Sequence, residues 1–433
     1  MINSENIKEV TKNLLQICNG NIDEKTYKKL LGTSVSIFLT EEDIRKNYSK
    51  AEIEQRLVKI IDNTRQLNPK PQLQLFKLAL NKVLIDLNQG LNDEISDWLF
   101  IVPIDNLAIE NEIKIGKVTL GNFTGDIQQK VVDYYQELLR KRSKTPEEKI
   151  EEINAIIKPF VGKVCAQIII KGRLEKAHDL ALDDITKALS AIKLFGGVID
   201  DDFGRYFGIP GEVASKTRAI MRYEVNGKSA NPIYESVGAL VPFTIDEHHL
   251  EVMKKCRFDI IDALFAKTAH NELETRILSS IYWYGKAFDV QLSRGKITRA
   301  ENEKRDEKDF DKMKEADRLL KLIITLESLL IFNEKEALGS NVAERTAVIL
   351  ARNKNEYIAI KKFMHKIYSL RSDVVHHGTI NFSLSEMYEL QFITRDAILA
   401  LIMEKDNWNI QNENDFIYWL EKNKLEYEFG KNA

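Results

Sequence analysis

The sequence predicts an α+β N-terminal region followed by an all-α helical bundle, with helix predominating overall. Three observations predict it. The 433 residues include only 8 Pro and 20 Gly, which disfavours a β-sandwich, a collagen-like chain or a linker-rich array. Apolar residues recur at three- and four-residue steps over most of the length, the mark of helices that bury one face. Between about Trp98 and Asp246 the texture changes to short alternating runs around turn signals. A length of 433 residues suits two to three domains,. The boundaries read as a helical region over 1–96, an α+β and possible sensor region over 97–246, and a helical bundle over 247–433.

The elements follow in order. In the first region Leu14, Leu15 and Ile17, then Ile53, Leu57, Ile60 and Ile61, keep helical spacing,. Asn68 to Pro71 breaks it, and a further helix is expected from Leu73 to Leu87. WLFIVPIDNL and EIKIGKVTLGNF read as strands around a turn. One long charged helix is expected from Ile127 to Phe160. KVCAQIIIKG is an apolar strand ending at Gly172, suited to the inside of a sheet. A helix from Leu174 to Phe195 leads to the glycine-rich run GGVIDDDFGRYFGIPGE. TRAIMRYEVNGKSA and IYESVGALVPFTID give two more strands, separated by a turn signal at Asn226 and Gly227. Beyond Asp246 the spacing predicts helices over 247–267, 270–294, 309–333, 340–352, 354–377, 384–404 and 413–424. The run RGKITRAENEKRDEKDFDK is a solvated charged stretch.

Several function classes drop out. With 63 Lys+Arg against 66 Asp+Glu the net charge is −3, so bulk electrostatic coating of a nucleic acid is excluded and any such site must be local. The three cysteines, Cys18, Cys165 and Cys256, lie far apart and suggest neither a disulfide framework nor a metal site,. The N-terminus mixes acids with apolar residues, unlike a signal peptide. No apolar run is long enough to span a bilayer. A cytoplasmic protein is expected, and the abundance of Asn, Ile and Lys suits an AT-rich bacterial genome. No Walker loop is present, and Gly196, Gly197, Gly204 and Gly208 do not open a helix after a strand. Asp200, Asp201 and Asp202, and the pair His248 and His249, are contiguous, so their side chains diverge rather than converge on an ion. No metal and no cofactor are expected.

The remaining constellation ends a strongly patterned helix, YIAIKKFMHKIYSLRSDVVHHG, from Tyr357 to Gly378. Phe363, Ile367, Leu370 and Val374 repeat at four, three and four and predict a core-facing stripe. Arg371 flanks it, His376 follows five residues later, and Gly378 is placed to stop the helix. Arginine offers a planar, permanently charged fork for a phosphate. Histidine titrates near neutrality and can take or return a proton. Spacing alone carries little, because Arg173 and His178 show the same four-residue gap without the seam or the stop.

Context adds a resemblance. IYSLRSDVVHHG resembles the Arg, four to six residues, His signature of HEPN domains, and its form is similar to the Apea-like branch. ADRLLKLIITLESLLIF (Ala316 to Phe332) and VAERTAVIL (Val342 to Leu350) are similar to helices that precede the motif in that branch. The likeness covers roughly 250–405.

That resemblance implies an HEPN helical bundle and a metal-independent endoribonuclease, in which two domains pair as a homodimer and two motif helices form one cleft. Arg371 would bind the scissile phosphate and His376 would act as general acid/base while the RNA 2′-hydroxyl attacks. The products would be a 2′,3′-cyclic phosphate and a 5′-hydroxyl. Ser372 stands where many members carry Asn, Asp or His, with Asp373 next, so the accessory polar group stays open between them. His377 offers a five-residue gap and is the alternative to His376. The resemblance further implies an RNA-cleaving toxin or abortive-infection effector in antiviral defence, with a phage-derived trigger or an antitoxin as partner. The competing expectation is a non-catalytic HEPN module that binds RNA or dimerises.

Overall fold

The computed structural model describes residues 4–19, 23–40, 45, 48–67, 96–140, 145–199, 207–209, 218–223, 230–235, 243–288, 303–333, 336–377 and 382–429. The protein is predominantly helical, with fourteen helices among the described residues and a small antiparallel sheet in the N-terminal half. The chain divides into two compact units, Met1–Phe100 with Ile168–Asp183, and Ile101–Gln167 with Asp184–Ala433.

In the first unit α1 (Ser4–Asn19), α2 (Glu24–Leu39) and α3 (Lys50–Leu67) pack together. Val10, Leu14, Ile17, Leu31, Val35, Phe38, Ile53, Leu57, Ile60 and Ile61 form their shared core. The helical spacing in the sequence named most of the α1 and α3 members. Asp23 caps α2 by accepting from the Thr26 amide. Ser49 and Glu52 cap α3 reciprocally, the pattern that satisfies two orphan amides at once,. The break at Asn68 to Pro71 and the expected helix Leu73 to Leu87 lie outside the described residues.

The strands are β1 (Ser96–Ile104), β2 (Leu107–Ile109), β3 (Ile113–Ile115), β4 (Val118–Asn122), β5 (Val164–Gly172), β6 (Arg218–Tyr223), β7 (Ala230–Glu235) and β8 (Phe243–Ile245). One sheet has the order β1-β5-β4-β3. β5 therefore lies inside it, as its apolar run predicts. Val164, Cys165, Ala166, Ile168 and Ile170 are buried, but Ile169 is 63% exposed, so one face of the strand stays uncovered there. β2 pairs with β8 in parallel and β6 with β7 antiparallel. IYESVGALVPFTID is thus two strands, β7 and β8, rather than one. The turn at Asn226 and Gly227 lies outside the described residues, as do Asp200 to Asp202 and Gly204.

Two long predicted helices are each divided. In place of one helix over 127–160 there are α4 (Gly125–Arg140) and α5 (Pro146–Ile157). A capping box of Thr145 and Glu148, with Pro146 at the first turn, starts α5 afresh,. α6 (Leu174–Ile199) follows. In place of one helix over 247–267 there are α7 (Glu247–Lys255) and α8 (Phe258–Ala266). Arg257 between them is left-handed at φ 59 and ψ 41, which interrupts the ladder and re-aims the chain,. α8 is thereby set against β3. Asp262 accepts from the Gly116 amide at 2.7 Å. Gly116 has φ 58, and a Cβ there would lie 2.7 Å from the Phe265 backbone. Only glycine satisfies both demands.

The C-terminal bundle comprises α9 (Glu272–Lys286), α10 (Glu303–Leu330), α11 (Leu338–Leu350), α12 (Lys354–His377), α13 (Leu384–Glu404) and α14 (Glu413–Phe429). α9 packs on α10, α11 packs on α12, and α13 contacts α9, α10 and α11. Leu322, Ile323, Leu326, Leu329, Leu330, Val342, Met364, Ile367, Leu390 and Ile398 are buried in it. Capping boxes start α9 at Asn271 and α13 at Ser383. Among the described residues no helix is long and apolar enough to cross a membrane.

Candidate functional site

The motif helix α12 is rotated relative to the stripe expected from its sequence. Ile367 is buried as predicted, whereas Phe363, Leu370 and Val374 are only half-buried. The covered row is instead Tyr357, Met364 and Ile367. Tyr357, Met364 and Arg371 recur every seven residues and so share one face. Arg371 therefore stands on the core-facing row, at the point where the bundle stops covering it.

Two tyrosines and two acids pin this row. Near its start Tyr357 stacks on Tyr427 with ring centroids 5.2 Å apart. Lys361 pairs with Glu344 at 2.9 Å, and Lys424 pairs with the same carboxylate at 2.7 Å. Burial raises the pKa of Glu344, but the hydrogen bonds from Lys424 and Lys361 outweigh it and leave the carboxyl below its ordinary value. Near its end the Tyr368 hydroxyl donates to Glu327 on α10 at 3.1 Å. Arg371 Nη2 lies 3.7 Å from the same carboxylate oxygen. Burial, reinforced by the neighbouring Glu327 charge, pushes the Tyr368 phenol well above its ordinary pKa.

Beyond Arg371 the helix is open. Ser372, Val375, His376 and His377 are exposed, and Asp373 is half-buried. His377 Nδ1 stands 3.7 Å from Asp373, one turn back. The His376 ring meets that of His377 edge-on at a centroid distance of 6.5 Å. At 100° per residue, five positions set His376 about 140° around the axis from Arg371. One α12 does not bring Arg371 and His376 to a common point. Ser372 lies on the His376 side, four residues before it. Gly378 lies outside the described residues.

Arg173 and His178, at the same spacing, behave differently. Arg173 is 7% exposed. It pairs with Glu52 at 3.4 Å and lies 4.4 Å from the Tyr48 ring centre. His178 meets Phe100 edge-on. The same spacing there serves packing, while Arg371 keeps its guanidinium half-exposed.

Asp246, His249 and His270 have local partners. Asp246 caps α7 and is 2.6 Å from His249 Nδ1, a contact that holds its carboxyl below the usual range. His270 Nε2 contacts the Leu264 carbonyl. The cysteines are free thiols, and burial pushes Cys165 up to about 11. Among the described residues no three His, Cys, Asp or Glu side chains gather as a metal site would require,. Sequence reasoning did not single out Glu327 and Tyr368 as site residues. For Tyr368 the signal was its three-residue step to Arg371, which places both on one helix face.

No known family, curated protein or solved structure matches this chain.

Proposed function

We propose that this chain is a metal-independent endoribonuclease of HEPN type, acting as a homodimer in the bacterial cytoplasm. The observation that carries the reading is the end of α12. A half-exposed arginine sits on an acid-lined seam, and an exposed histidine follows five residues further on, on a different face of the helix. Because Arg371 and His376 diverge on a single helix, a second α12 must supply the opposing groups. Two such helices antiparallel across a two-fold axis would form one cleft from four side chains.

In that cleft Arg371 binds the scissile phosphate and stabilises the charge that builds on its oxygens. His376 takes the proton from the RNA 2′-hydroxyl as it attacks phosphorus, and a proton returns to the departing 5′-oxygen. The products are a 2′,3′-cyclic phosphate and a 5′-hydroxyl. Ser372 is the accessory donor favoured here, since it shares a face with His376. His377 is held toward Asp373, which favours His376 as the acid/base. The biological role consistent with such chemistry is a toxin or abortive-infection effector in antiviral defence, with residues 1–246 sensing a phage-derived trigger or an antitoxin.

The test is cleavage of total RNA in EDTA. Wild type is expected to leave 2′,3′-cyclic phosphate ends, and Arg371→Ala and His376→Ala are each expected to lose about 100-fold or more in rate. Undiminished cleavage by both variants overturns the assignment. The second reading, a non-catalytic HEPN module for RNA binding or dimerisation, draws on the same divergence of Arg371 from His376. It predicts RNA that is retained and recovered intact.

A further inference from the structure

Tyr368 occupies a more constrained place than its half-buried surface suggests. Its ring lies against the N-terminal turn of α11, where a Cβ on Gly339 would come within 3.1 Å of Tyr368 Cδ1 and 3.3 Å of Cγ. That contact fixes the ring, and the fixed ring aims its hydroxyl at Glu327 Oε1. The same oxygen faces Arg371 Nη2 at 3.7 Å. This separation is within ion-pair range but beyond hydrogen-bond reach. The guanidinium is therefore attracted without having its N–H groups consumed. The upward shift of the phenol keeps it a donor across the working pH range.

We infer that Tyr368 and Glu327 form a positioning pair for Arg371. The carboxylate draws the guanidinium to the end of the seam, and the phenol holds the carboxylate back from closing onto it. Arg371 is thus oriented with its donors free for a phosphate. The inference rests on the reading of Arg371 as the phosphate-binding group, but the geometry can be tested without RNA.

The two residues act in opposite senses, which separates positioning from general loosening. Glu327→Gln removes the attraction and releases the guanidinium. Tyr368→Phe keeps the ring against Gly339 and removes only the hydroxyl, so the carboxylate turns onto Arg371 and ties up its donors. The rate at which phenylglyoxal modifies Arg371, followed by peptide mass spectrometry on the full chain, is expected to rise in Glu327→Gln and fall in Tyr368→Phe. With RNA, Tyr368→Phe is expected to raise KM about tenfold with a smaller change in kcat. Glu327→Gln is expected to lower kcat about tenfold through misorientation.

Rates that match wild type in both variants, or that move in the same direction, overturn the positioning pair. Opposite shifts in a protein that leaves RNA uncut uphold the pair and remove the ribonuclease reading. RNA cleavage with unchanged modification rates does the reverse.

Discussion

Gly285 marks a close approach between α9 and α6. A Cβ there would fall 2.1 Å from Ser190 Oγ and 2.6 Å from Ser190 Cα, and the second of these is backbone that cannot swing aside. Gly285→Ala is expected to destabilise the fold by about 1–3 kcal/mol or more. Thermal melts check it, and Ser190→Gly in the same chain should restore part of the loss. Arginine shows how far one residue type depends on its setting. Arg276 and Arg345 lie over the Phe332 ring at 4.8 and 4.9 Å. Arg276 donates to the Ser328 and Ile331 carbonyls, and Arg345 to Leu330, so together they close the C-terminal end of α10,. Arg173 is buried against Tyr48, and Arg371 alone of these four lies near an open helix end that also carries the candidate acid/base. Sequence spacing could not separate Arg173 from Arg371, because both precede a histidine by the same interval. Burial separates them, and burial depends on partners distant in sequence.

At the scale of elements, one carboxylate ties α11 to both α12 and α14. Glu344 faces Lys361 and Lys424, and its pKa lies below the ordinary 4.5. A carboxyl depressed on folding stabilises the folded state above the unfolded value, and the gain is lost as pH falls through the lower folded value. Glu344→Gln should therefore cost about 1–3 kcal/mol at pH 7, and the gap from wild type should narrow below pH 4.5. Melts at the two pH values check both the size and the sign. Helix content and most helix positions were legible from the three- and four-residue spacing, because burial of one face imposes it. The limits of α12 and α13 matched the pattern closely. The breaks within 127–160 and 247–267 were not legible. Thr145 and Pro146 carried a start signal inside a polar run where periodicity is weak, and the turn at Arg257 is a left-handed residue of a type that rarely adopts one. The face of α12 was not legible from spacing, because Met364 and Tyr357 cover the seam while Phe363 only flanks it. Arg371 ends the core row instead of standing beside it.

At the scale of the whole molecule, the divergence of Arg371 from His376 makes a single chain an incomplete ribonuclease under the proposed reading. Mixing inactive Arg371→Ala and His376→Ala chains, after dissociation and reassociation, should recover cleavage that neither shows alone. A mixture that stays inactive would argue against a cleft shared between two helices. The predominance of helix was open to a sequence reading because periodicity is local. The seam residues Glu327 and Tyr368 were not, because the contact that joins them spans α10 and α12.

The cations around that seam are largely committed. Arg276 pairs with Glu413, Arg345 with Glu336, Lys361 and Lys424 with Glu344, and Lys366 with Glu386. A nucleic acid docking there would displace few condensed counterions, since few charges are left to replace them. Binding at the α12 end should therefore weaken only gently as salt is added. With two phosphates neutralised, one at each Arg371 of a pair, the log–log slope against salt is expected to be about −1.4 for single-stranded RNA. Filter binding of the inactive His376→Ala protein over a salt series measures it. Such an RNA would be retained by geometry at two paired helix ends, and a change of ionic strength would do little to release it.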